Sequence, residues 1–400
     1  MKIIGVNKTF DLDVNLVGSK SESNRVLMIG YYGGFTPCVK NLSESDDTRL
    51  LKEILDSLSY PSYPSYPSYP SYPVYPSYPQ KIVCFNAGTV FRFLATALSF
   101  RDGEWILTGS DRMLQRPVGD LVDTLRAMGT DIEYMGQDGF PPLRIHGKES
   151  AKTRFVASQI HVDITNSSQF ASSLLLAQPS YLHLDGDMSS VPYIDMTIDV
   201  MRKFGIDVHR EGRDIFVKQS DYQDVEYSVE SDWTCASYWY EIVALSENGR
   251  VRLRNLHLDS KQGDAVVAKW FENFGVTTVQ DGNDIIIEKN NSINKEQVSF
   301  DFIDNPDLYP TIAATCAGLG IEGRFTGLRN LKHKESDRVA AMTTELSKKN
   351  VFDSHNDHRI AMALAPLAMK IGALEIKNAE VVSKSYPGFW KEFQKITTNR

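Results

Sequence analysis

The segment Gly18-Ser-Lys-Ser-Glu-Ser-Asn-Arg25 runs directly into the apolar stretch from Val26 to Ile29. This junction of a polar turn with an apolar helix decides the fold. Ser19 and Glu22 stand three residues apart, the spacing of a capping box, which predicts that a helix begins here. The same junction recurs along the chain. Its other copies open at Asn86-Ala-Gly-Thr89, Asn166-Ser-Ser-Gln169, Ser231-Asp-Trp-Thr234, Asn305-Pro-Asp307 and His355-Asn-Asp-His358.

A second pattern lies between these junctions: a strand, a polar turn, an amphipathic helix and a glycine-centred return into another strand. Its clear copies span 105–134, 182–209 and 251–279, with Gly129, Gly205 and Gly275 at equivalent places. The sequence therefore predicts six βαβ-type modules. The interval from 308 to 358 is about 20 residues shorter than the others and has no glycine-centred return before Val351.

Residues 59–79 form a low-complexity insertion of Ser-Tyr-Pro triplets in the place of the return strand of the first module. Proline at every third position excludes a helix and disfavours a central strand, so a polyproline-like surface excursion is expected. Two interpretations stay open. The tyrosines form a ligand for an aromatic groove, or a short repeat has expanded in a tolerant loop.

Composition limits the function. The chain has 400 residues, 42% of them apolar and 24% charged, which is typical of a folded protein of two or three domains. A formal charge of −8 argues against nucleic acid or an anionic membrane as partner. No apolar run reaches the length of a membrane helix and no signal peptide is apparent, so a cytoplasmic location is expected. Four cysteines lie far apart, so buried thiols are expected rather than a disulfide framework.

Helix N-termini that converge would form a site for a polyanion, because unpaired N–H groups and the positive dipole ends favour phosphate or carboxylate. Cations and hydroxyl groups stand in or near several of the polar turns. They include Lys20, Arg25, Arg92, Arg116, Ser167, Ser168, Gln169, Lys334 and Arg338. We therefore predict that the turns share one anion-binding site.

Two other chemistries are weighed against this site. His355 and His358 can share a helical face with Asp357 as a third metal ligand, but no further ligand cluster accompanies them, so no metal is expected. Cys235 opens a predicted helix and stays open as a nucleophile, although no histidine neighbours it in the sequence.

The motifs resemble those of the 5-enolpyruvylshikimate-3-phosphate (EPSP) synthase family, in the enolpyruvyl transferase superfamily. They occur in family order across nearly the whole chain. The matching strings are Gly18-Ser-Lys-Ser-Glu-Ser-Asn-Arg25, Asn86-Ala-Gly-Thr89, Arg116-Pro-Val-Gly119, Ser167-Ser-Gln-Phe170, Pro192-Tyr-Ile-Asp195, Lys334-Glu-Ser-Asp-Arg338 and Asn356-Asp-His-Arg359.

The resemblance implies a two-domain inside-out α/β barrel, in which each domain holds three βαβαββ units with pseudo-threefold symmetry. One domain would span 18–231 and hold mainly the shikimate 3-phosphate site, and the other would join 1–17 to 232–400. Enolpyruvyl would pass from phosphoenolpyruvate to the 5-hydroxyl of shikimate 3-phosphate, with release of phosphate, in a cleft that closes around both substrates. The resemblance implies no metal and no organic cofactor, and we expect a monomer.

The resemblance also implies roles for individual residues. Asp307 would be the base and Glu335 the acid, with Lys20 assisting. The residues implied to bind shikimate 3-phosphate are Lys20, Ser21, Arg25, Ser167, Ser168, Gln169, Ser190, Tyr193, Asp307, Asn330 and Lys334. Those implied to bind phosphoenolpyruvate are Lys20, Gly88, Thr89, Arg116, Gln169, Arg338, Arg359 and Lys384.

Three departures from the family pattern stand out. Phe85 replaces a usual glycine, Phe93 replaces a usual proline, and the fifth module is short. Two rival functions follow. UDP-N-acetylglucosamine enolpyruvyl transferase uses a cysteine in the loop equivalent to 111–116, which has none here. A pseudoenzyme that kept the fold without catalysis is the other rival, although the retained charged residues argue against it.

Overall fold

The computed structural model describes residues 1–59, 79–151, 159–290, 292 and 296–398. Residues 60–78, which hold almost all of the Ser-Tyr-Pro insertion, lie outside the described residues, so the expectations for that segment stay predictions. In the part of the chain that is described, no helix combines the length and the apolar character that crossing a membrane requires.

All six predicted junctions open helices, as the sequence predicts. The helices are Lys20–Gly33, Gly88–Ser99, Gln169–Leu176, Trp233–Leu245, Tyr309–Leu319 and His358–Leu364. Every residue of Trp233–Leu245 is buried, and so are nearly all residues of Gly88–Ser99. A helix that is apolar all round belongs inside a core, and here the first three helices pack together, as do the last three. The helices are therefore inside and the sheets outside.

Three sheets have four strands, each with one parallel pair extended by antiparallel strands. Their strands, in spatial order, are Gln80–Val83, Gly103–Thr108, Leu143–Gly147 and Asp131–Tyr134; Gln159–Asp163, Tyr181–Asp185, Asp214–Lys218 and Asp207–Glu211; and Thr9–Val14, Asn248–Leu253, Asp284–Lys289 and Val276–Asp281. In every one the core-facing residues alternate with exposed ones, the pattern of a sheet with one wet face.

The other three sheets are small. They pair Val39–Lys40 with Tyr227–Ser228, Gln297–Asp301 with Glu322–Thr326, and Leu374–Lys377 with Lys2–Ile3 and Val351–Asp353. The fifth module is short, as predicted: the helix Arg338–Leu346 leads directly to Val351–Asp353, which joins the sheet of the sixth module.

The glycine-centred returns also form as predicted. Gly129, Gly205 and Gly275 have φ of 86°, 86° and 73°, a backbone region that glycine enters at no steric cost. The third copy differs in its helix, since only Val267–Trp270 is α-helical and 3₁₀ turns flank it. Further helices among the described residues are Asp46–Ser59, Gly119–Ala127, Val191–Lys203, Arg338–Leu346, Ala368–Ile371 and Phe389–Phe393.

The buried apolar side chains form two separate cores. One contains residues from Val26 to Tyr222, and the other combines Ile3 to Leu16 with Trp233 to Ile396. The chain passes between them twice, at neighbouring places, where Gly18 and Ser231 form a β-bridge.

Two local expectations need correction. Ser19 does cap the first helix, but Glu22 does not complete the capping box, because the Ser19 N–H donates to the Glu230 carbonyl. The Glu22 carboxylate accepts instead from the Tyr227 hydroxyl and the Glu230 N–H, and burial raises its pKa to about 7. Among the cysteines, Cys38 is exposed, whereas the other three are buried as expected.

Glu241 is an acidic residue buried within the second core. It is fully buried, and neither carboxylate oxygen has a hydrogen-bond partner among the described residues. Burial raises its pKa well above 4.5, so the folded protein holds this group protonated. A carboxyl group with a raised folded pKa stabilises the fold most at low pH, and this contribution is lost as the pH rises above its unfolded value.

We expect Glu241→Met to be more stable than the wild type at pH 7, by about 1–3 kcal/mol, because an apolar side chain of similar size needs no partner. The gain should shrink toward pH 4.5. Urea unfolding at both pH values measures it, with exposed Glu53→Met as the control that should change little. Equal or lower stability of Glu241→Met at pH 7 would contradict this account of the buried carboxyl.

Candidate active site

A cavity of about 80 Å³ lies between the two cores and takes its walls from both. Most of the predicted site residues line it. They are Lys20, Ser21, Gly88, Thr89, Arg116, Ser167, Ser168, Gln169, Ser190, Tyr193, Asp307, Asn330, Lys334, Glu335, Arg338 and Arg359. Arg25 and Lys384 are the two predicted residues outside this lining.

Arg25 lies behind the cavity wall. Its guanidinium is buried and donates to the Ser21 and Tyr193 carbonyls and to the Ser172 and Thr197 hydroxyls. These bonds employ all three of its nitrogens. Arg25 therefore orients the backbone of Ser21 and Tyr193, and its contact with shikimate 3-phosphate stays a prediction.

Lys384 contacts the lining residues without lining the cavity itself. Its ammonium lies 2.7 Å from one oxygen of Asp47 and 3.8 Å from Glu335, and it donates to the Asn86 carbonyl. Lys20 lies 3.0 Å from the other oxygen of Asp47. Burial opposes the charge of Lys20, but Asp47 and Glu335 outweigh it and raise its pKa, so Lys20 stays an ammonium.

Asp307 sits at the centre of the cations. One of its oxygens lies 2.6 Å from Arg338 and 3.4 Å from Lys334, and the other lies 2.7 Å from Arg359. Burial alone would raise the pKa of Asp307, but Arg359, Lys334 and Arg338 together hold it well below 3.8. In this arrangement the group is a carboxylate.

Glu335 is the second buried carboxylate. Arg338 lies 3.0 Å from one of its oxygens, and Arg116 and Lys384 lie 3.9 Å and 3.8 Å from the other. Burial would raise its pKa, yet Arg116, Arg338 and Lys384 hold that pKa well below 4.5. Its cationic partners come from both cores, so this cluster connects the two walls of the cleft.

The sequence suggested that the helix N-termini in the cleft have unpaired N–H groups, but some of these groups are capped. Ser19, Asp232 and Asp357 cap three of them with their own side chains. The helix Gly88–Ser99 has no such side-chain cap. At its start Gly88 lies against the Arg116 guanidinium, where a Cβ would come within 2.6 Å, so a larger residue here would require the guanidinium to shift.

Hydroxyl and amide side chains also line the cavity. Gln169 accepts from Arg92 at 2.7 Å and donates to the Thr89 hydroxyl at 2.9 Å. These two hydrogen bonds fix the three side chains relative to one another. Asn330, from the second core, donates to Ser189 and to the Thr165 carbonyl. These side chains supply neutral hydrogen-bonding groups to the cavity beside the charged ones.

Arg92, which the sequence places near the predicted anion-binding turns, also lines the cavity. The cleft contains further residues that sequence reasoning did not assign to the anion site. They are Asp47, Asn166, His333 and His358. Asp47 gives no signal in the sequence, because an acidic pair in the first turn of a helix is ordinary. Neither ring nitrogen of buried His358 has a hydrogen-bond partner among the described residues, although Nδ1 lies 3.6 Å from Asp357. Burial together with Arg359 and Lys20 holds its pKa well below 6.5. His358 therefore stands as a neutral group beside the cations.

The geometry does not favour a metal at His355, Asp357 and His358, or Cys235 as a nucleophile. His355 lies 2.6 Å from Glu345, and Asp357 is bonded to Arg338. Cys235 is buried, and burial raises the pKa of its thiol well above 9.0, which disfavours the thiolate.

The two phenylalanines have different surroundings. Phe93 is buried, and its ring faces the Arg25 guanidinium at 5.7 Å. Phe85 is 62% exposed and has φ of 45°, a left-handed conformation that is strained for a large side chain. The glycine usual in the family at this position would carry no such strain.

Comparison with known proteins gives one consistent result. The family model for EPSP synthase (3-phosphoshikimate 1-carboxyvinyltransferase) matches residues 7–352 and 348–393, two segments that meet where the fifth module is short. A 3-phosphoshikimate 1-carboxyvinyltransferase of Bacteroides fragilis (strain YCH46) is 37% identical, over 96% of this chain and 94% of its own. One of Methanospirillum hungatei JF-1 is 33% identical, over 95% of each.

Solved structures agree on the fold. An EPSP synthase from Acinetobacter baumannii superposes with a TM-score of 0.73, at 22% identity, over 99% of this chain and 98% of that one. The family match and the names of the relatives show that the protein is a transferase. The chain belongs to the EPSP synthase family.

The strain at Phe85 is testable. We expect Phe85→Gly to raise the free energy of unfolding by about 1 kcal/mol, because glycine adopts the left-handed conformation without a Cβ clash. Phe85→Ala is the matched control, since it removes the ring but keeps the Cβ and the strain. Denaturant unfolding that ranks Phe85→Gly no higher than Phe85→Ala would show that the backbone at this position is not strained.

Proposed function

We propose that this protein transfers the enolpyruvyl group of phosphoenolpyruvate to the 5-hydroxyl of shikimate 3-phosphate and releases phosphate, a step of chorismate and aromatic amino acid biosynthesis. The observation that carries the proposal is the charge arrangement in the cleft. Asp307 and Glu335 each lie among three cations that come close enough to pair with them. Phosphate and carboxylate groups of the substrates are the anions such cations would bind.

We propose that the two cores correspond to two domains, 18–231 and 1–17 with 232–400, and that the cleft opens between them. A cavity of about 80 Å³ is smaller than the 300–1,000 Å³ common for ligand pockets, so both substrates cannot enter without separation of the walls. The two chain crossings lie together at the bridge of Gly18 and Ser231, which allows rotation there. Closure then excludes water from the reacting groups.

Shikimate 3-phosphate would bind among the hydroxyl and amide groups of the cavity lining. Ser167, Ser168 and Gln169 stand at the start of one helix, where N–H groups and hydroxyls suit a phosphate. The other contacts would come from Lys20, Ser21, Ser190, Tyr193, Asn330 and Lys334. Arg25 would act through them by orienting the backbone of Ser21 and Tyr193.

Phosphoenolpyruvate would bind among the arginine and lysine side chains, beside the helix start at Gly88 and Thr89, which has no side-chain cap. Guanidinium groups can form two parallel hydrogen bonds with a phosphate or carboxylate, which a lysine cannot. Those available here are Arg116, Arg338 and Arg359, with Lys20, Gln169 and Lys384 beside them. The pairing of Lys20 and Lys384 through Asp47 keeps both ammonium groups at one side of the site.

Catalysis requires a base for the hydroxyl proton and an acid for the methylene carbon of phosphoenolpyruvate. We assign the base to Asp307 and the acid to Glu335. Both have pKa values held low by cations, which suits neither proton transfer at neutral pH. An anionic substrate that takes over Arg338, Arg359 and Arg116 would weaken those pairs and raise both pKa values, so binding itself would prepare the acid and the base.

With both groups prepared, the hydroxyl oxygen attacks the substituted carbon while Asp307 accepts its proton and Glu335 protonates the methylene carbon. The product of this addition is a tetrahedral intermediate that still carries the phosphate. Glu335, now a carboxylate, would take a proton from the new methyl group as phosphate departs, which restores the double bond, now attached to the shikimate oxygen. Lys20, which stays an ammonium, would neutralise the departing charge.

The rival functions have less support. The loop 111–116 contains the 3₁₀ turn Met113–Gln115 and no cysteine, so the nucleophile of a UDP-N-acetylglucosamine enolpyruvyl transferase is missing there. A pseudoenzyme would have lost charged site residues, yet the predicted cations and carboxylates are brought together at salt-bridge distances.

We further propose that the protein acts as a cytoplasmic monomer. All four cysteines are free thiols, including exposed Cys38, which suits a reducing compartment. The cleft takes its walls from a single chain, so no second copy is needed to complete it. Sedimentation at a mass near 45.0 kDa supports the monomer, and sedimentation at twice that mass contradicts it.

We expect Asp307→Asn and Glu335→Gln each to lower turnover about 100- to 10,000-fold, because each removes one proton-transfer group. The activation barrier would rise by about 3–5 kcal/mol. Phosphate release from phosphoenolpyruvate and shikimate 3-phosphate measures it. Asp301→Asn is the matched control, since Asp301 is exposed and outside the cavity lining.

The same assay separates the functions when it is repeated with UDP-N-acetylglucosamine and with no acceptor. Turnover of the wild type with shikimate 3-phosphate alone supports the proposal. Wild-type activity in both variants would remove Asp307 and Glu335 from the mechanism but leave the reaction in place. A folded wild type that turns over neither acceptor would be a pseudoenzyme.

A further inference from the structure

Two histidines and an aspartate meet on the outer, solvent-facing side of the sheet in the third module. His161 lies on the strand Gln159–Asp163, and His183 and Asp185 lie on the neighbouring strand Tyr181–Asp185. The strands are parallel, with His161 directly opposite His183. Because every second residue of a strand points to the same face, all three side chains project outward.

The three side chains are close enough to share one ion. One ligand atom from each lies within 4.8 Å of the other two. His183 Nε2 is 3.6 Å from one oxygen of Asp185, and His161 Nδ1 is 3.5 Å from the other. Ligands at about 2.0–2.1 Å from a tetrahedral zinc ion are about 3.3 Å apart, so only small side-chain rotations separate this cluster from a coordination site.

A fourth residue holds His183 in the orientation that a metal ligand needs. Its Nδ1 lies 2.6 Å from Asp214 on the next strand, and Asp214 also accepts from the Tyr181 hydroxyl at 2.5 Å. With its proton on Nδ1, His183 donates to this carboxylate. The lone pair of Nε2 then faces Asp185. Carboxylates that orient metal-bound histidines in this way are common at zinc sites.

We propose that His161, His183 and Asp185 bind a divalent first-row transition metal, zinc above all, with water as the fourth ligand. Imidazole nitrogen and a carboxylate oxygen suit zinc, whereas magnesium and calcium prefer oxygen ligands throughout. The site is accessible to solvent, since the side chains of His161, His183 and Asp185 are 59%, 26% and 48% exposed.

The position of the site gives it a structural role. The two bridged strands are joined by the helix Gln169–Leu176, and past their ends lie the turns that carry Ser167 and Ser190 into the cleft. A bound ion would clip the strands together just before those turns. An ion that binds only the folded protein raises its melting temperature, so zinc should stabilise the protein. This inference does not depend on the transferase function.

The test uses the full-length protein after chelator treatment. Calorimetric titration with zinc chloride and thermal unfolding with and without zinc are compared for four proteins. These are the wild type, the double variant His161→Ala/His183→Ala, Asp214→Asn and His209→Ala. His209 is the matched control, because it lies on the same sheet beside a carboxylate, Glu211 at 2.9 Å, but has no second histidine.

We expect the wild type and His209→Ala to bind zinc equally and to gain the same rise in melting temperature. The double variant should lose that rise, and Asp214→Asn should bind about 10- to 100-fold more weakly, the usual effect of removing an orienting partner. Magnesium chloride should leave the melting temperature unchanged. Zinc binding by the double variant as tight as that of the wild type, or no zinc binding by the wild type, would overturn the proposal. The melting temperature of the double variant without zinc shows whether it folds.

Discussion

The concentration of positive charge in the cleft is the constraint on which the rest of the structure depends. Buried helices bring their N-termini there, and arginine and lysine side chains from both cores point to the same place. Cations at this density repel one another, and burial adds a desolvation penalty. Asp47, Asp307 and Glu335 offset both costs, since each pairs with cations that would otherwise lie unpaired.

This arrangement links binding to chemistry. Two of the carboxylates that neutralise the cleft, Asp307 and Glu335, are also the groups that we assign to proton transfer, and both are paired with cations in this structure. Arg338 alone pairs with Asp307, Glu335 and Asp357. Substrate anions would compete for these arginines, so a change in pairing would accompany the arrival of the substrates. In the proposed mechanism the arginines exchange one set of anionic partners for another, and a cavity of about 80 Å³ leaves little space for water.

The helix junctions and glycine-centred returns could be predicted from the sequence because both depend on local rules. A polar cap before an apolar run begins a helix, and a glycine with positive φ ends one, whatever lies elsewhere in the chain. The short fifth module was visible for the same reason. The capping box failed at Glu22, since the Ser19 N–H was already bonded to Glu230, a residue more than two hundred positions away. Cys38 was placed wrongly because composition alone does not show which small residues reach the surface.

The sequence by itself determined the six modules, the family and most of the residues that line the cleft, because these follow from local patterns and from motifs kept in order. Only the tertiary structure decided which charges pair. It placed Arg25 behind the wall, joined Lys20 to Lys384 through Asp47, and brought His161 opposite His183. Electrostatic pairing falls steeply with distance and depends on burial, so it is set by how distant segments pack and not by the residues beside each charge.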